Sequence, residues 1–157
     1  LDPAQFYEAA YLPTLETLVR EIVEAEGPLP LARLAREVAQ RHGWQRTGAR
    51  ILAQVEQALR VVDRHDEFGQ AVLWTHQGYR DRAACRGLGD RTIQDVSRTE
   101  IATVLDTLGP DPITDDAAMQ RAKEALGILR LSQSAREYIQ KCDAWRRGRA
   151  DGETGSQ

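Results

Sequence analysis

Gln45, Arg46, Thr47 and Arg50 gather in the run QRTGAR at the start of a helical stretch, and Gln54, Gln57, Arg60 and Arg64 continue it on faces away from Ile51 and Val55. An arginine guanidinium can pair bidentately with guanine, and residues at the N-terminal end of a recognition helix reach base edges. The chemistry on offer is therefore recognition of nucleic acid, with Arg33, Arg36 and Arg41 on the preceding helix laid along phosphates. A plainer alternative stays open, in which Arg46 satisfies carbonyls at the end of that preceding helix and the other arginines form a solvated face.

Bond-breaking chemistry is poorly represented. The chain has no GxxxxGK[ST] phosphate loop, no GxSxG elbow, no HExxH and no GxGxxG, so no catalytic residue, cofactor or small-molecule substrate is expected. Asp115-Asp116 sits where a helix begins, and acids there complement the helix dipole. His65, His76 and Cys85 show no metal-ligand spacing, and no metal site is expected. Cys85 and Cys142 are far apart and outside any CxxC pair, which points to a reducing, cytoplasmic compartment, with a disulfide between them as the lesser alternative. Trp44 and Trp74 could stack on bases, but tryptophan at a helix junction or on a strand ordinarily packs in the core. His42, on the apolar side of its helix, reads as a packed, hydrogen-bonded side chain.

The elements that must position these residues follow from apolar spacing. With 41% hydrophobic and 29% charged residues in 157, the chain suits one compact domain or two small modules. No apolar run approaches the roughly 20 residues of a membrane span. Leu1 as first residue suggests a piece of a longer protein. Asp2-Pro3-Ala4-Gln5 predicts a short helix start with Asp2 as N-cap, whose aromatics pack on the next helix. Leu15, Leu18, Val19, Ile22 and Val23 mark a helix from Thr14 to Glu26, closed by Gly27-Pro28. Leu31, Leu34, Ala35, Val38 and Ala39 mark a second, stopped by Gly43. Thr47 is the expected N-cap of a third, with Ile51, Val55, Leu59 and Val62 as its apolar line. A turn at Asp66–Gln70 and the run AVLWT predict a β-hairpin within Val61–Thr75, the wing of a winged-helix module. A glycine-punctuated connector follows, and Ser97-Arg98-Thr99-Glu100 forms a capping box for a further helix.

The chain then repeats itself. Gly27–Arg46 laid over Asp111–Arg130 without a gap puts Pro28 on Pro112, Gly43 on Gly127 and Arg46 on Arg130, and Ser134 is the expected cap of the helix that follows. Charge follows the same rhythm. The net charge of −3 is distributed unevenly, with residues 1–30 at −5, residues 31–64 at +4, residues 99–118 bearing five acids and no base, and residues 119–149 at +5. Segregation of this kind decides where a phosphate backbone could sit. Arginine abundance, as in a GC-rich genome, is the competing source of the basic stretches. The expected fold is mainly α, with tandem helix-turn-helix or winged-helix-like units and one small β-hairpin wing. Its expected parts are a first module at 1–75 with its N-terminal helix, a connector at 76–92, a second helical unit at 93–147 and a disordered tail at 148–157.

EIVEAEGPLP (Glu21–Pro30) and HGWQRTGARI (His42–Ile51) together resemble a bacterial domain of unknown function, domain of unknown function 3320, over about Leu12–Val62. Gly27, Pro28, Arg46, Thr47, Gly48, Arg50 and Ile51 match its two motif elements. The resemblance implies a place toward the C-terminal end of a superfamily-one helicase protein, often beside an endonuclease-like domain. It implies no catalytic residue for this chain, because motor and nuclease lie outside it. The expected function is an accessory nucleic-acid-binding module, with DNA ahead of RNA as target and the parent's helicase or nuclease domains as partners. The expected contacts are Gln45, Arg46, Thr47, Arg50, Gln54, Gln57, Arg60 and Arg64, with Arg36, Arg130 and Arg136. The alternative is a docking module whose basic helices bind acidic protein surfaces, and a hydrolase built from scattered acids ranks third.

Overall fold

The computed structural model describes residues 1–150, without the side chains of residues 149 and 150, and the predicted tail beyond 150 lies outside the described residues. The chain divides into two units between Tyr79 and Arg80, inside the stretch expected as connector.

The first unit runs α1 (Leu12–Glu26), β1 (Leu29–Pro30), α2 (Leu31–Arg41), α3 (Ala49–Gln57), β2 (Asp63–Glu67) and β3 (Gln70–Trp74), with single 3₁₀ turns at Pro3–Gln5, Ala9–Tyr11 and Leu59–Val61. The antiparallel sheet has the order β1-β3-β2, with Leu29 opposite Leu73 and Asp63 opposite Trp74. The fold is mainly α with a small β wing, in the order helix–strand–helix–helix–hairpin. Leu15, Val19 and Ile22 of α1, Leu34 and Val38 of α2, Val55 of α3 and Leu73 of β3 meet in one core. These are the apolar stripes whose spacing predicts the helices, converging because none can hide its apolar face alone.

Several details depart from expectation. The predicted N-terminal helix is two separate 3₁₀ turns, although Asp2 does cap the first by accepting from the Ala4 amide at 2.9 Å. Its aromatics pack on the α2–α3 junction, with the Phe6 ring 4.9 Å from both His42 and Trp44. Thr47 does not cap α3. Gly48 holds that position, and no side chain bonds the first-turn amides. The hairpin turn is only Phe68-Gly69, with φ of 54° and 82°. A two-residue turn with both φ values positive matches the right-handed twist of paired strands. β1 is too short to leave a periodic signal, and Gly27 just before it has no room for a side chain, since a Cβ would stand 2.5 Å from the Val23 carbonyl oxygen.

The second unit contains α4 (Arg98–Asp106), α5 (Asp116–Leu126) and α6 (Gln133–Ala150), preceded by a 3₁₀ turn at Ile93–Asp95. α6 thus enters the stretch expected as tail. Ile101, Leu105, Met119, Ala122, Leu126, Ile139 and Cys142 form its core. Ser97 caps α4, accepting from the Thr99 amide, and Asp115 caps α5, accepting from the Ala118 amide. α6 begins two residues earlier than Ser134 implies, because Ser132 supplies the capping hydroxyl to the Ala135 amide at 3.1 Å.

The two units repeat down to single hydrogen bonds. Gly43 and Gly127, 84 residues apart, adopt φ of 87° and 73°. Around them Trp44 N–H donates to the Ala39 carbonyl at 2.9 Å, and Ile128 N–H donates to the Lys123 carbonyl at 3.0 Å. This is the six-to-one bond of a Schellman stop, which needs a left-handed residue and favours glycine. The same shift of 84 carries the 3₁₀ turn Ala9–Tyr11 onto Ile93–Asp95 and the start of α3 onto the start of α6. One difference is architectural. Leu29 is held in the sheet, whereas the amide of Ile113 at the shifted position donates to the buried Asp143 carboxylate at 2.9 Å.

Candidate nucleic-acid interface

The residues singled out in the sequence fall into three groups, those left open at the α2–α3 turn, those exposed elsewhere and those already engaged. Gln45, Arg46 and Arg50 are exposed, and Thr47 is half-buried between them. Among the described residues, Arg46 has no hydrogen-bond or ion-pair partner, so it does not satisfy the carbonyls ending α2, and Gly43 and Trp44 supply that stop instead. Arg50 has no acidic partner either, but its guanidinium lies 3.8 Å from the centre of the Tyr7 ring. A cation over an aromatic face is held by the ring quadrupole without losing its charge.

Tyr7 belongs to a cluster that fixes this corner. Phe6 is fully buried and meets Tyr7 and Trp44 edge-on, while Trp44 stacks on His42 at 5.5 Å. His42 Nδ1 lies 2.8 Å from the Val38 carbonyl oxygen, which can only accept, so Nδ1 carries the proton. Its Nε2 then accepts from the Tyr11 hydroxyl at 2.7 Å. Gln54, predicted to contact ligand, donates to the Phe6 carbonyl at 3.4 Å and ties the N-terminal segment to α3. Trp44 and Trp74 are both packed, the first half-buried in this cluster and the second buried on β3.

The remaining candidates are spread out. Gln57 is exposed at the last residue of α3, and Arg64 is exposed on β2 without an ion-pair partner among the described residues. Arg60 is paired with Glu16 of α1 through both carboxylate oxygens. That side-chain hydrogen bond holds the Glu16 carboxyl below its ordinary range and raises the Arg60 guanidinium further. Arg41 bonds Glu37, Arg33 lies 3.8 Å from Glu26, and Arg36 is exposed on α2 with interactions of its own. In the second unit Arg130 is exposed in the α5–α6 turn, and Arg136, half-buried on α6, stands 3.7 Å from Asp116.

Much of the basic charge on α6 is internal. Arg146, 3% exposed, bonds Asp143 at 2.8 Å and the Gly109 carbonyl at 2.9 Å, and reaches Asp106 and the Asp111 carbonyl. Arg147 bonds the other oxygen of Asp143 at 3.1 Å. These side chains staple the α4–α5 loop and are unavailable to phosphates. Nothing in the local sequence distinguishes them from surface arginines. Arg91 bonds Glu100 in the interior of the same unit. Among the described residues no group of three or more His, Cys, Asp or Glu side chains could hold a metal ion, and no helix is long and apolar enough to cross a membrane.

The class this geometry defines is a mainly helical module with a small β wing and an open cationic turn between α2 and α3. Residues 4–53 match the model of a family described as a protein of unknown function, DUF3320. The match takes in the aromatic segment, α1, α2, the open turn and the start of α3. Nothing among curated proteins or solved structures matches the chain.

Proposed function

We propose that the chain is an accessory nucleic-acid-binding module, with DNA as the first target, belonging to a helicase- or nuclease-type protein of the bacterial cytoplasm, and that it carries no catalysis itself. The observation that carries this reading is the contrast at the α2–α3 turn. Arg46 and Arg50 are exposed without acidic partners, while Arg33, Arg41 and Arg60 of the same unit are paired with acids. The start of α3 strengthens it: no acid lies in the first turn and no side chain caps it. Uncapped helix N-terminal amides favour an anion, and two unneutralised arginines beside them suit a phosphate with a base edge.

The aromatic corner supports the same reading, because Tyr7 holds Arg50 in place before any ligand arrives. In this account Arg46, Arg50 and Gln45 make the contact, Arg64 on the wing extends it, and Thr47 shapes the turn. Arg60 and Gln54 act as structural ties. The helicase or nuclease setting rests on the resemblance around Gly27-Pro28 and Arg46-Thr47-Gly48, to which the family match adds the same segment. Cys85 and Cys142 are not joined in a disulfide, which accords with a reducing compartment.

Alanine at Arg46 or Arg50 is the test. Each is expected to weaken binding of a short duplex by about tenfold at low salt, with helical content unchanged by circular dichroism. Unchanged affinity in both variants contradicts the reading and favours docking to protein.

A further inference from the structure

The internal repeat exposes a vacancy in the second unit that the first unit fills with its own aromatics. An open cavity of about 640 Å³ lies between the segment Gly87–Gln94 and the α5–α6 turn, floored by Leu88, Ile93, Leu126 and Ile128. Both walls have counterparts 84 residues earlier, in Pro3–Ala10 and in the α2–α3 turn. In the first unit that space holds Phe6 and Tyr7, packed on Trp44 and beneath Arg50. In the second unit Asp90 and Arg91 stand at those two positions, and Arg91 turns to Glu100 and the Gly87 carbonyl. Ile128 replaces Trp44, and Ser134 replaces Arg50. Aromatic bulk is therefore missing from both walls at once.

The rim says what would enter. Leu129 is 94% exposed beside the opening. Leu129 adds apolar surface at the rim beside Ile128 and Leu126 of the lining. The lining carries Arg91 and Arg130 and no Asp or Glu, and it includes Ser132 and Ser134 at the N-terminal end of α6. Arg130 has no acidic partner among the described residues, and the helix end adds positive potential.

We propose that this cavity docks a peptide segment of a partner protein, an aromatic side chain entering the hollow and flanking carboxylates meeting Arg130 and the start of α6. The segment that fills the first unit has this character, since Leu1–Glu8 reads LDPAQFYE, with two aromatics between acids. The docking needs none of the residues assigned to nucleic acid at the α2–α3 turn.

A fluorescently labelled peptide LDPAQFYE, titrated against the whole chain, tests this. Saturable binding is expected, weakened by about tenfold or more in Ile128→Trp, which fills the hollow, and again in Arg130→Glu, which reverses the rim charge. Arg130 is exposed, so its variant keeps the test decisive if the core substitution fails to fold. A peptide with both aromatics changed to alanine is expected to lose binding. Absence of saturation, or binding indifferent to both substitutions, overturns the proposal. So does displacement of the peptide by an oligonucleotide, which assigns the cavity to nucleic acid. A concentration-dependent dimer abolished by Ile128→Trp also overturns it, by assigning the cavity to a second copy.

Discussion

Glu16 and Glu100 stand 84 residues apart at matching places in α1 and α4, both buried and both paired with an arginine, yet their carboxyls are shifted in opposite directions. Glu16 is drawn below its ordinary value of 4.5 by its hydrogen bonds from Arg60. Glu100, fully enclosed, is pushed above 4.5 because burial penalises its charge more than Arg91 and Arg86 relieve it. Arg60 keeps its pair near solvent, whereas Arg91 brings its pair inside, and desolvation decides the sign.

That difference predicts opposite pH dependence in the two units. A carboxyl depressed by folding contributes stability that is complete above 4.5 and lost as pH falls through its lower folded value. Asp63, lowered chiefly by the Gln77 amide, acts in the same direction. A carboxyl raised by folding contributes stability present below 4.5 that is lost as pH rises through its higher folded value. Carbon-detected titration of the glutamate carboxyls should place the Glu16 midpoint below 4.5 and the Glu100 midpoint above it. Equal midpoints would remove the distinction.

The Asp143–Arg146 pair should govern the second unit. Both side chains are almost fully enclosed, at 2% and 3% exposure, and together they hold the Ile113 amide and the Gly109 and Asp111 carbonyls. Arg146→Ala leaves a buried carboxylate partly unpaired and is expected to cost about 3–5 kcal/mol in denaturant unfolding. Arg121→Ala, at an exposed position on α5, should stay within about 0.5 kcal/mol. Similar effects in the two variants would show that the staple contributes little.

Gly43 and Gly127 should respond alike if the repeat is one of energetics as well as geometry. Neither position is crowded, since a Cβ would meet nothing within 4 Å, so the cost of alanine comes from the left-handed backbone alone. Gly43→Ala and Gly127→Ala are each expected to destabilise by roughly 1–2 kcal/mol. A clear inequality, read from chemical denaturation, would mean that the two helix stops differ in strain despite their shared hydrogen bonds.

The helices were legible where local rules decide them. Apolar spacing at Leu15–Val23 and Leu31–Ala39, the glycine stops, and the turn before AVLWT each act over a few residues, and each corresponds to an element found. What the sequence concealed depends on distant pairing. Phe6 finds His42 and Trp44, Glu16 finds Arg60, and Arg146 closes a loop nearly forty residues earlier, none with a local signature. Arginine type alone could not tell Arg146, enclosed and saturated, from Arg46, open and unpaired. Thr47 lost the capping position to Gly48 because α3 begins one residue later than threonine capping requires.

Contact between the open turn at Arg46 and Arg50 and a phosphate backbone is tested most directly by the salt dependence of duplex binding. Neutralised phosphates release counterions, so the logarithm of affinity falls linearly with the logarithm of salt, with a slope of about −0.9 per phosphate contact. Measurable binding is expected at about 50 mM salt, with a steep negative slope that becomes shallower by roughly one unit in Arg46→Ala and in Arg50→Ala. No binding at that salt, or a slope identical in the chain and both variants, would contradict it.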